Sequence, residues 1–197
     1  KGHKVNITCG VHIHIGWKRD LPAEALARLV TIVSYTEKGL YAITGTKSRE
    51  RGTYCGGVRK YGNGKDAKPA LDRNRYHALN LTNLANGARE TVEFRVFSGS
   101  LSPVKVIGWI QVCLGLVERA INAKRSPTWT PKPLKGGWKK AGEGASEAER
   151  LMGYLAWGAG YARIHGGTQY GWMSDAIPQE QIKNEFRRLA AKYDAQA

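Results

Sequence analysis

Four residues in two short stretches have the types and spacing to do chemistry together. In CGVHIHIG (residues 9–16), His12 and His14 stand two apart among β-branched apolar residues. In ETVEFRVFSGS (residues 90–100), Glu93 and Arg95 stand two apart in a clean alternation. A strand points successive side chains to opposite faces, so each pair shares one face. Val11, Ile13 and Ile15 take the other face of the first strand. In the later strand Thr91, Glu93, Arg95 and Phe97 are expected on one side, with Val92, Phe94 and Val96 on the other. If both strands lie in one sheet with these faces aligned, imidazole, carboxylate and guanidinium converge. A carboxylate and an imidazole can hold a divalent cation such as magnesium or manganese. A guanidinium fork suits two oxygens of a carboxylate or a phosphate. These are parts for nucleotide chemistry, with cations to offset charge developing on phosphoryl groups. Taken singly, each pair also fits the polar outer face of an antiparallel sheet, and a surface Glu–Arg pair is worth only ~0.2–1 kcal/mol.

The elements that must position these residues are legible from periodicity. Residues 5–16 read as a strand. Asp20 is a candidate N-cap, with Pro22 and Glu24 in the first turn of a helix reaching about Tyr41. Leu26, Leu29, Val30 and Val33 keep helical spacing there. Residues 44–70 form a long basic loop rich in Gly, Lys and Arg. RYHALNL (75–81) reads as a second strand, led by Arg73 and Arg75, and Asn86-Gly87 is a turn signal before the strand at 90–100. Ser102 and Pro103 open a helix running to about Lys124, with Val106, Ile107, Ile110, Leu114 and Val117 on its apolar stripe. Residues 125–145 hold Pro, Gly, Lys and Trp and read as a linker or arm. A short helix (146–157), a Gly-rich aromatic stretch (158–174) and an amphipathic helix (178–193) follow as a helical C-terminal subdomain (146–197).

The chain has 197 residues, enough for one sizeable core, and its 42% hydrophobic and 24% charged content is that of a globular protein. No apolar run is long enough to span a bilayer, and no membrane partner is expected. The start, KGHKVNIT, lacks the apolar region of a signal peptide and reads as the middle of a longer protein. The three cysteines are widely spaced, without CxxC, which argues for a reducing, cytoplasmic setting. Cys9 and Cys113 read as core. Cys55, beside Gly56-Gly57 in the basic loop, reads as an idle thiol rather than a reactive one. His77 reads as a strand residue, His165 as structural and His3 as solvated. The net charge of +15 favours a polyanion such as nucleic acid, a phosphorylated ligand or an acidic assembly partner. Trp129 and Trp138 among lysines fit a packed basic arm, with a nucleic-acid platform as the alternative.

CGVHIHIG, then RYHALNLTN, then TVEFRVFSGSL followed by a helix opened by Ser-Pro, together resemble the amidoligase family. That family belongs to the glutamine-synthetase-like carboxylate–amine ligases, which include glutamate–cysteine ligases. The resemblance covers roughly residues 1–120, and SRERGTYCG (48–56) is similar to the family's basic loop. It implies an α+β fold: a twisted antiparallel sheet, part of a half barrel, with helices on one face. It implies ATP and magnesium or manganese as cofactors, with small-molecule or peptide carboxylate and amine substrates joined through an acyl phosphate. Carried over by position, His12 and Glu93 are metal ligands, and His14 and Arg73 contact the nucleotide. Arg95 holds the substrate carboxylate or the transferring phosphoryl group, and Arg75 stabilises the phosphates. The family's first strand carries a Glu-x-Glu pair that is not found ahead of His12 here. The site therefore calls for an N-terminal fragment or second chain, unless the fold has lost catalysis.

Two readings from other classes stand beside this one. The first is a non-catalytic basic assembly or nucleic-acid-associated protein with a ligase-like fold, which can include a homo-oligomer. The second is a metal-dependent hydrolase or oxygenase built on His-x-His with Glu93.

Overall fold

The computed structural model describes residues 4–6, 8–58, 74–122, 145–155 and 177–196. Arg73, His165, Trp129, Trp138 and the stretch at 158–174 lie outside these residues, as does nearly all of 125–145. The architecture is α+β, with a three-stranded antiparallel sheet and six helices among the described residues. In chain order these are β1 (Gly10–Gly16), α1 (Ala23–Ala42), α2 (Ser48–Arg51), β2 (Leu79–Asn80) and α3 (Thr82–Ala85). Then come β3 (Thr91–Ser98), α4 (Pro103–Asn122), α5 (Glu147–Tyr154) and α6 (Gln179–Asp194). No helix among the described residues is long and apolar enough to cross a membrane.

β3 is the central strand, antiparallel to β1 on one side and β2 on the other. β2 is shorter than the alternation over 75–81 suggests. The side chain of Asn80 accepts the Thr82 N–H at 3.0 Å, which turns the chain into α3 and ends the pairing. His77 makes a single parallel bridge to Gly56 instead. α3 and the turn at Gly87, whose φ is +67°, join β2 to β3, so the connection is longer than a two-residue hairpin.

The β1–β3 register breaks once. Val11 lies opposite Phe97 and Ile13 opposite Phe94. One residue, His12, therefore faces two, Arg95 and Val96, and the extra residue is a bulge in β3. The bulge corrects the expected facing of Phe97. Beyond it the alternation is reset, and Phe97 joins Phe94 on the apolar side, stacked on Trp109 of α4 with ring centroids 5.0 Å apart.

α1 and α4 pack on the sheet and on each other, and α5 and α6 pack onto this pair. α1 begins at Ala23, with Pro22 in the N-cap position at φ −56° and no side-chain cap, while Asp20 stays exposed in the preceding turn. The fixed φ of Pro22 makes the entry that Asp20 was expected to make. At the far end of α4, the buried Arg28 of α1 donates from Nε to Ala120 O at 2.7 Å. That satisfies a carbonyl left over at a helix C-terminus and places a cation at the negative end of its dipole. α6 comes close to α4 because residue 108 is glycine: a Cβ there would lie 2.7 Å from Ile182 Cγ2. Leu151, Leu155, Ile182, Phe186 and Leu189 thereby share one core with Leu29, Val33, Phe94 and Leu116.

Candidate functional site

The polar residues of β1 and β3 converge on Glu93. Its carboxylate is nearly buried, with a side-chain exposure of 5%. Oε1 accepts from Arg95 Nη1 at 2.9 Å, and His12 Nδ1 and His14 Nε2 lie 2.9 and 3.7 Å from the same oxygen. His14 sits directly opposite Glu93 in the register, and its Nδ1 is 3.5 Å from Thr91 Oγ1. The two pairs read from the sequence thus share one face and touch.

Sequence reasoning missed a fifth member. Asn80 of β2, also opposite Glu93, donates from Nδ2 to Oε2 at 2.6 Å. Its own Oδ1 accepts from the Thr82 N–H at 3.0 Å and the Thr82 hydroxyl at 2.8 Å. The amide cannot be reversed without setting its oxygen against the carboxylate, so both oxygens of Glu93 have fixed donors. The available signal was an asparagine at the end of an otherwise apolar strand.

With Nδ1 2.9 Å from a carboxylate oxygen, electrostatics favour the neutral tautomer protonated on Nδ1, which leaves Nε2 as an acceptor. Burial and then the Arg95 charge hold the His12 pKa below its ordinary 6.5, opposed in part by Glu93. Folding therefore disfavours the charged form. The stability His12 contributes is present above pH 6.5 and is lost as pH falls from there toward the folded-state value. In an NMR titration the His12 imidazole is expected to show a midpoint below 6.5. Glu93→Gln removes the group that raises it and is expected to move the midpoint lower still; an upward movement would contradict this electrostatic picture.

His12 and Arg95 line a cleft of about 600 Å³, together with Arg49, Tyr54 and Cys55. Part of the segment read as a basic loop supplies this wall. α2 is a single turn, and its Arg49 donates to the Cys9 carbonyl, tying α2 to the start of β1. Cys9 is exposed rather than in the core, whereas Cys113 is buried as expected. Cys55 donates to Arg49 O at 3.0 Å, and burial pushes its thiol pKa up, with Arg49 opposing only in part. It is not a thiolate nucleophile. Arg95, 9% exposed at the side chain, is anchored through Nη1, and its buried Nε has no hydrogen-bond partner among the described residues. Arg75 is exposed, its guanidinium 5.5 Å from the ring centre of Tyr76; Arg95 lies 5.9 Å from the same centre.

The donor set does not fit a magnesium or manganese ion as it stands. Glu93 is the one carboxylate in the cluster, and both its oxygens already accept from protein donors. Among the described residues no three His, Cys, Asp or Glu side chains are placed to share an ion. What the arrangement can do chemically is present a neutral imidazole and a buried guanidinium to an anionic ligand. Compared with known proteins, the chain matches no family model, no curated protein and no solved structure.

Proposed function

We propose that the chain is part of an ATP-dependent carboxylate–amine ligase, its sheet contributing to a glutamine-synthetase-like half barrel. Arg95 is the observation that carries this reading. One end of its guanidinium is committed to Glu93, its buried Nε has no partner among the described residues, and Arg95 lines a cleft. A buried N–H left without a partner costs about 1–3 kcal/mol, and a ligand oxygen that reached the Arg95 guanidinium from the cleft would offset it. A carboxylate or phosphoryl group presents two.

In this reaction a carboxylate oxygen attacks the γ-phosphorus of ATP and ADP leaves. The amine nitrogen then attacks the acyl carbon, loses a proton and expels inorganic phosphate, forming the amide. Arg95 faces the charge that builds on the transferring oxygens, and Glu93 and Asn80 hold it in place. His12 presents an acceptor to the same cleft. His14, Arg75 and Arg73 belong to the nucleotide side in this reading. Any magnesium that the reaction uses would have to be held by the nucleotide rather than by Glu93, whose oxygens are already taken. The carboxylate and amine are small molecules or peptides.

One observation favours a second reading. With no metal cluster among the described residues and a net charge of +15, a non-catalytic assembly or nucleic-acid-associated role accounts for the same chain. The same observation counts against a zinc or iron hydrolase on His12, His14 and Glu93. Calorimetric titration with ATP and magnesium separates them. The ligase reading expects binding with a Kd below about 1 mM. It also expects a loss of about tenfold or more in Arg95→Lys, which keeps the charge and removes the fork. No ATP binding, with strong salt-dependent binding of a mixed oligonucleotide, would overturn it.

A further inference from the structure

The cleft has a wall that phosphate chemistry does not use. Tyr54 lines it and remains 64% exposed, its ring open to a ligand. Its ring meets Tyr76 edge to face, with centroids 5.4 Å apart and planes at 81°. Tyr76 is 41% exposed and lies next to the guanidinium of Arg95. The aromatic pair is therefore contiguous with the group whose buried Nε lacks a partner among the described residues. The cleft lining combines the guanidiniums of Arg49 and Arg95 with the ring of Tyr54, around a volume of about 600 Å³ that suits a small organic ligand. Two separate anions would leave the tyrosines unused, and an apolar ligand would leave Arg95 unsatisfied. A flat heteroaromatic ring joined to phosphate uses both the ring and the cations.

We infer that Tyr54, braced by Tyr76, is the stacking platform for the base of a nucleotide whose phosphates lie toward Arg95. The inference rests on the ligase reading for the identity of that nucleotide as ATP, and adds the residue that holds its base. Every base offers a π-face, so the platform distinguishes a base from no base rather than one base from another.

The test compares ATP with inorganic tripolyphosphate, both with magnesium at one ionic strength, by calorimetry on the full chain. ATP is expected to bind about tenfold or more tighter than tripolyphosphate. Tyr54→Ala is expected to erase most of that ratio while leaving tripolyphosphate affinity and the thermal midpoint unchanged. Tyr54→Phe is expected to retain the ratio, since the ring and not the hydroxyl does the stacking. An unchanged ratio in Tyr54→Ala, or an equal loss for both ligands, would overturn the platform and leave the ligase reading standing. Failure of both ligands to bind the unaltered chain would overturn the two together.

Discussion

Glu93→Ala is expected to destabilise the protein by about 3–5 kcal/mol, the usual cost of removing one partner from a buried ion pair. The reason lies in what is left behind. Arg95 is only 9% exposed at the side chain and its Nε is already without a partner among the described residues, so losing its Nη1 contact strands a charge in a desolvated place. Asn80 loses its acceptor as well, and its amide is fixed by Thr82 and cannot turn to another. His12 adds little to the loss, because its ring is substantially exposed and water can replace the carboxylate. Urea unfolding measures the effect directly. A double variant, Glu93→Leu with Arg95→Met, is expected to recover much of it, since an apolar pair of similar volume removes the stranded charge. If Glu93→Ala alone unfolds within about 1 kcal/mol of the unaltered protein, the buried cluster does not hold the sheet together.

Trp109→Ala is expected to cost a comparable amount, about 3–5 kcal/mol, for a different reason. The indole is fully buried, stacks on Phe97 and donates from Nε1 to Ile43 O at 3.0 Å. It joins three elements: α4 that carries it, the end of α1 that it caps, and β3 just beyond the bulge. Trp109→Phe keeps much of the stacking area and loses the donor. Its expected cost is the smaller one of an unsatisfied carbonyl, about 1–3 kcal/mol. Denaturant midpoints for the two variants separate packing from hydrogen bonding. Equal losses would show that the hydrogen bond, and not the ring, carries the joint.

The facing of His12, His14, Glu93 and Arg95 was legible because strand alternation is a local property that a reader can count. α1 and α4 were legible for the same reason, as long periods with apolar stripes. What depended on pairing was not. Nothing in ETVEFRVFSGS announces that His12 will face both Arg95 and Val96, so Phe97 was expected on the wrong side. Asn80 looked like a strand end, and its role against Glu93 exists only because β2 lies beside β3. Asp20 gave a capping signal that Pro22, two residues later, superseded. The basic segment gave composition without period, so Arg49, Tyr54 and Cys55 could not be placed at the cleft before α2 was seen against β3.

The bulge makes the site depend on a count of residues as well as on their identities. Upstream of it β3 presents Glu93 to the polar cluster; downstream it presents Phe97 to the helices. A substitution in that stretch exchanges one side chain. Were the same residues to pair without the bulge, strict alternation would swing Phe97 onto the polar face and turn over the backbone that leads into α4; deletion of Val96, the extra residue, keeps Phe97 opposite Val11. The strand works as a phase-sensitive connector between a chemical surface and a mechanical one. It should accept many replacements at its apolar positions, whereas a one-residue change in length away from the bulge turns over every side chain beyond it.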